Sequence, residues 1–193
     1  HHAPMKITEV RVYRHSITVA DGRYQMSLSE VDALDCTVIE VVTDTGLAGY
    51  GETTPLGPTY QEQHAAGARA AIATMAPALI GLDPRRTNLV YERMDHALNG
   101  HRYAKSALDV ACWDLIGKSY GERVCDLLGG AKRSRVPSYF GVMPATTAET
   151  ADAARRREDE GYPRIQVKAG GRALADDIDA FVAAAEDSSS LPT

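Results

Sequence analysis

Apolar and polar positions change rhythm twice along the chain. From Met5 to Tyr13, Ile7, Val10 and Val12 recur among charged residues with an imperfect period of two, which predicts a strand. Ser16 to Asp35 is polar and irregular, with Asp21-Gly22 as a turn signal. Cys36 to Val42 is β-branched and predicts a second strand. Asp44-Thr45-Gly46 predicts a hairpin turn, and Leu47 to Glu52 the return strand. The loop Thr53–Tyr60, with two prolines and a glycine, ends this region. Helical spacing then takes over: Gln61–Met75, interrupted by Pro77, a helix from a Thr87 cap to Leu98, another from about Tyr103 to Lys118 ending at Gly121, and a helical turn at Val124–Leu128. After Gly130 the order becomes strand (Arg135–Val142), helix (Thr147–Glu160), strand (Tyr162–Lys168) and helix (Leu174–Ala185), followed by a frayed tail from Asp187 to Thr193.

This order predicts an α+β domain over residues 5–130 and the start of a parallel α/β array over 131–186, with 187–193 as a tail. Two βα units cannot close a parallel sheet, and a (β/α)8 barrel of about 250 residues needs eight. The 193 residues therefore read as the front of a longer protein.

Composition narrows the function classes. The formal charge of −5 leaves no basic excess to neutralise phosphates, which argues against nucleic acid. No apolar run of about 18 residues exists, which argues against a membrane span. Cys36, Cys112 and Cys125 have no paired spacing. Each sits among apolar neighbours and reads as a small buried hydrophobe in a reduced, cytoplasmic protein. His1-His2-Ala3-Pro4 before Met5 resembles a purification-tag remnant.

Lys168 is the residue with the clearest chemical potential. It ends a strand just before Gly170-Gly171, on the side of a βα array where catalytic groups gather. It reads either as a solvated strand-end lysine or as a desolvated general base. Gln166 is two residues earlier and points to the same side. It can orient a lysine or hold a carboxylate, but it cannot act as a base. Tyr60 and His64 lie at the end of the Pro/Gly loop and in the helix after it. Tyr60 could close over a substrate, and an aromatic ring suits an organic cation; Tyr24 is a candidate of the same kind. Asp109 and Asp114 do not share a helix face and read as packing residues beside an apolar stripe of Ala107, Val110, Ala111 and Leu115. His101 and Tyr103 read as structural. Asp176, Asp177 and Asp179 read as a solvated helix face.

Five segments together resemble the enolase superfamily, in its mandelate racemase/muconate lactonizing branch. These are M-K-I-T-E-V, T-G-L-A-G-Y-G-E-T, A-L-D-V-A-C-W-D-L-I-G-K, D-L-L-G-G and R-I-Q-V-K-A-G-G. The resemblance spans Met5 to Ala185 and implies a capping domain followed by a modified barrel. It implies removal of the proton α to a carboxylate by a lysine or histidine base, with Mg²⁺ stabilising the enediolate. Lys168 matches the second lysine of the family's Lys-x-Lys motif, and Gln166 replaces the first. G-P-T-Y-x-x-x-H and G-H-x-Y-A-K look most like members acting on proline derivatives, the proline betaine 2-epimerases and cis-3-hydroxy-L-proline dehydratases, whose tyrosine matching Tyr60 lies near substrate. The resemblance places no metal ligand in this chain: the three acidic ligands and the opposing acid/base come from later strands. It implies a small carboxylate substrate and a homo-oligomer. The alternatives are an inactive truncated module or another racemase or cycloisomerase of the branch.

Overall fold

A computed structural model describes residues 4–20, 22–26, 29–143 and 145–186. The expected tag remnant at His1–Ala3, the residue Asp21 of the expected turn, and the expected tail from Asp187 lie outside the described residues. In chain order the elements are β1 (Ile7–Thr18), β2 (Tyr24–Gln25), β3 (Glu30–Val31), β4 (Ala33–Thr43), β5 (Ala48–Thr53), α1 (Ala65–Met75), α2 (Thr87–Ala97), α3 (Arg102–Tyr120), α4 (Val124–Leu127), β6 (Phe140–Val142), α5 (Thr147–Asp159), β7 (Ile165–Val167) and α6 (Leu174–Glu186). They form an α+β capping domain followed by the first two βα units of a barrel. The chain divides into two compact units, residues 1–20 with 33–132 and residues 21–32 with 133–193. Segment 21–32, read from the sequence as part of the first domain, thus groups with the second unit.

In the first unit an antiparallel sheet runs in the order β1-β4-β5. Its inner face presents Ile39 and Val41 from β4, in register with Gly51 and Gly49 of β5. Those two glycines set the spacing between sheet and helix. A Cβ on Gly51 would collide with the carbonyl oxygen of Ala107, and one on Gly49 with that of Ala111. Their bare backbone lets α3 lie against β5, where Ala104, Ala107, Leu108, Ala111, Cys112 and Leu115 are all fully buried. Met5, Ile7, Ile72, Met75, Leu79, Val90 and Met94 complete this core. Val110, placed on the buried stripe from spacing, is 48% exposed. The buried face follows 104, 108, 111 and 115, and residue 110 is rotated about 100° from 111.

Several element ends differ from the sequence expectation for local reasons. α1 starts at Ala65 and not at Gln61, because His64 caps it, while it ends at Met75 as expected and a 3-10 turn covers Ala76–Leu79 around Pro77. Thr87 is the first helical residue of α2 and not its cap, because the carbonyl of Arg86 already accepts from the Val90 amide at 3.0 Å. The strand expected from Arg135 shrinks to Phe140–Val142. Pro137 has no amide to donate to a ladder, and Val136 and Tyr139 stand 86% and 58% exposed.

In the second unit β6 and β7 are parallel, with Phe140, Gly141 and Val142 opposite Ile165, Gln166 and Val167. The crossover helix α5 starts with a capping box in which Thr146 and Glu149 satisfy each other's backbone amides. Val142, Ala154 and Ala184 form a small core with Phe140, Ile165 and Val167 against it. The outer side of α6 leaves Leu174, Ile178, Phe181 and Val182 exposed. The ribbon β2–β3 pairs Tyr24 with Val31. Among the described residues no helix is long and apolar enough to cross a membrane.

Candidate functional site

Lys168 follows the last residue of β7, and its amide donates to the Val142 carbonyl at 3.1 Å, so the β6–β7 ladder extends to it. Its half-buried side chain runs past Gly141, where even an added Cβ would sit 3.5 Å from Lys168 Cε. The ammonium donates to the Tyr24 hydroxyl and lies 4.3 Å from the centroid of the same ring. The structure therefore brings together two sequence candidates separated by 144 residues. Gln166 is exposed on β7 opposite Gly141, and two residues of strand place it on the side of Lys168. The chemical content is a primary amine able to move a proton, an aromatic ring with a hydroxyl beside it, and a neutral amide able to orient but not to exchange protons.

The turn after Lys168 is fixed by residues the sequence reading assigned to solvent. Gly170 and Gly171 adopt φ of +109° and +81°, a region that favours glycine. Asp177, at 6% exposure, accepts from the Gly170 amide at 2.8 Å and from Arg172 Nε and Nη2 at 2.9 and 2.7 Å. Arg172 Nη1 also donates to the Ala145 carbonyl in the loop after β6. The Gly170 amide and the Arg172 guanidinium hold the Asp177 carboxyl below the usual range. Asp177 is thus no solvated residue of an exposed face: its position in the first turn of α6 points it back at the turn. An arginine right after a Gly-Gly pair, with an aspartate five residues on, was the available signal.

Tyr60 belongs to the first unit, on the Pro/Gly loop, and is 62% exposed. Its amide donates to the Gly57 carbonyl at 3.1 Å. His64 is not inside the following helix but caps it: Nδ1 accepts from the Gly67 amide at 3.1 Å. His101 takes a left-handed conformation at the start of α3, with its ring 5.9 Å from that of Tyr103. Asp114 is a structural acceptor for the Tyr50 amide and Lys118 Nζ, at 2.9 and 2.6 Å. Asp109 instead lines a cleft of about 430 Å³ with Tyr91, Lys105 and Trp113, and burial pushes its carboxyl up. Cys36 and Cys112 are buried as expected, but Cys125 is exposed: the short helix α4 buries none of its residues.

Among the described residues no group of three or more His, Cys, Asp or Glu side chains could hold a metal ion. The described residues therefore do not make up a Mg²⁺ site.

Comparison with known proteins bears on the family and the fold. Residues 7–129 match the mandelate racemase/muconate lactonizing enzyme N-terminal domain. The chain is 41% identical over 173 residues to a cis-3-hydroxy-L-proline dehydratase from Roseibium aggregatum, covering 89% of this chain and 47% of that protein. A solved enolase-superfamily member from Roseovarius nubinhibens, complexed with magnesium, superposes with a TM-score of 0.84 at 37% identity, covering 93% of this chain and 48% of that one. A dipeptide epimerase from Enterococcus faecalis, complexed with Mg and L-Leu-L-Tyr, superposes with a TM-score of 0.88 at 28% identity, over 94% and 50%. The chain spans about half the length of these relatives. The α+β sheet-and-helix domain, the parallel strands after it and the matched residues together make this chain a member of the mandelate racemase/muconate lactonizing enzyme family, in the enolase superfamily.

Proposed function

We propose that this chain is the amino-terminal part of a Mg²⁺-dependent enzyme that removes the proton α to the carboxylate of a small, proline-derived substrate, as an epimerase or a dehydratase. The observation that carries this reading is Lys168, standing at the end of the second barrel strand with its ammonium against Tyr24. In this reading Lys168 Nζ takes the α-proton, and the C–H bonding pair passes into the carboxylate as an enediolate. Gln166 and Tyr24 contact the substrate, and Tyr60 offers its ring to the substrate's ammonium group. The 41% identity to a cis-3-hydroxy-L-proline dehydratase supports a proline-derived substrate. Mg²⁺ belongs to the reading as a cofactor held by side chains other than those described, on further barrel strands. The exposed apolar side of α6 supports such strands in the functional enzyme. The reading also makes the enzyme a cytoplasmic homo-oligomer without nucleic-acid or membrane partners.

A second reading within the family is a cycloisomerase or dipeptide epimerase. Gln166 speaks against it only as a departure from the family's Lys-x-Lys motif, in which it replaces the first lysine with an amide that cannot exchange protons. The deciding experiment follows α-proton exchange of cis-3-hydroxy-L-proline and of proline betaine in D₂O with Mg²⁺ and the complete protein. Exchange is expected with one of them and is expected to vanish in Lys168→Met while the fold is kept. Full exchange in the variant would refute the role of Lys168.

A further inference from the structure

We propose that Arg172 and Asp177 are positioning residues for Lys168. Together they would fix the strand-end backbone from which the lysine projects. This inference rests on the reading of Lys168 as the base. Lys168 is tied to β6 on one side by the hydrogen bond that its backbone amide donates to the Val142 carbonyl. On the other side the chain turns at once through two glycines with positive φ, a conformation that no side chain of the turn itself holds in place. Asp177 supplies the missing restraint, because its Oδ2 takes the Gly170 amide, two residues after Lys168. Its Oδ1 takes two nitrogens of Arg172, and the third nitrogen reaches Ala145. One guanidinium therefore couples the loop after β7 to the loop after β6.

The pairing is more elaborate than support of α6 requires. A helix-capping carboxylate would satisfy amides of its own helix, whereas Asp177 satisfies an amide of the turn and Arg172 a carbonyl of the neighbouring loop. The side chains of Arg172 and Asp177 are only 21% and 9% exposed, so water competes weakly for these bonds. Proton transfer is sensitive to ångström-scale misplacement of the transferring group, and groups held by buried, fully bonded neighbours keep their place. Arg172 and Asp177 touch no reacting atom in this proposal; they act through the backbone of residues 168–170.

The test is competitive acetylation of the complete protein by trace acetic anhydride. Mass spectrometry reads the rate at Lys168 relative to Lys6 and Lys118, in the parent and in Arg172→Gln and Asp177→Asn. Loosening the turn releases the amine from Tyr24, so the relative rate at Lys168 is expected to rise at least about fivefold, with kcat falling about tenfold or more and KM little changed. Arg172→Lys, which keeps one ionic contact to Asp177 but cannot also reach Ala145, is expected to fall between. A merely structural pair would lower the melting temperature and leave the relative rate unchanged, and that result would overturn the proposal. If the glutamine and asparagine variants do not fold, Arg172→Lys is read alone against the same two outcomes. Turnover retained in Lys168→Met would remove the base assignment, while the acetylation ratio would still decide whether the pair positions the lysine.

Discussion

The Tyr24 hydroxyl accepts a hydrogen bond from the Lys168 ammonium, joining a two-residue ribbon to the end of a parallel strand 144 residues later. Tyr24→Phe keeps the ring beside the nitrogen and removes the bond. If Lys168 is the base, the complete enzyme should lose about tenfold in kcat/KM, equivalent to about 1.4 kcal/mol of transition-state stabilisation. Tyr24→Ala, which removes the ring as well, should lose more. Steady-state kinetics on both variants check this; unchanged kinetics in Tyr24→Ala would detach the ribbon from the chemistry.

Gly49 and Gly51 are required by the approach of α3 and not by backbone conformation. A methyl group at either would meet a helix carbonyl, Ala111 or Ala107, and neither backbone atom can move without shifting the helix off the sheet. Gly49→Ala and Gly51→Ala should each destabilise the chain by about 3 kcal/mol. Urea denaturation measures it, with an alanine at exposed Ser106 of α3 as a control expected to change little.

Lys105 is 2% exposed and its Nζ lies 2.5 Å from Asp95 Oδ1, whose side chain is 50% exposed. The two partners are not equivalent. Asp95→Ala leaves a buried ammonium without its counter-charge and should cost about 3 kcal/mol, whereas Lys105→Met leaves an aspartate that water can solvate and should cost less. Thermal unfolding of the two variants checks the order; equal or reversed effects would show that the ammonium does not depend on Asp95.

The Cys112 thiol is pushed up to about 12, chiefly by burial and secondarily by Asp109. The folded state therefore keeps a proton that the unfolded chain releases near the ordinary thiol value of 9.0. Stability contributed by this group is present below pH 9.0 and is lost as pH rises toward about 12. Cys112→Ala should flatten the alkaline limb of the stability profile, measured by urea midpoints from pH 8 to pH 11. In the same experiments exposed Cys125 should react with iodoacetamide in the native protein and Cys112 only on unfolding.

Local pattern carried much of the fold. The hairpin around Gly46, the long helix closed by Gly121 and the second parallel strand were all legible, because each depends on neighbours a few residues apart. Element ends were less so: Thr87 and the Arg135 strand failed where a backbone carbonyl or a proline amide decided the boundary. Of the candidate site, Lys168 was legible from its place at a strand end before two glycines. The roles of Arg172 and Asp177 were not, because a row of aspartates on a helix looks solvated until the turn it faces is known.

The sequence by itself determined the family and the order of strands and helices apart from the ribbon β2–β3, which falls in the stretch Ser16 to Asp35 read as irregular, since periodicity, turn residues and motif spacing are properties of the chain read in one dimension. Only the tertiary structure decided which of those residues meet. Tyr24 reaches Lys168, Asp177 is buried on a turn amide, Val110 faces outward and Cys125 is exposed, because contact and burial depend on how segments far apart in the chain pack, and no local spacing encodes that.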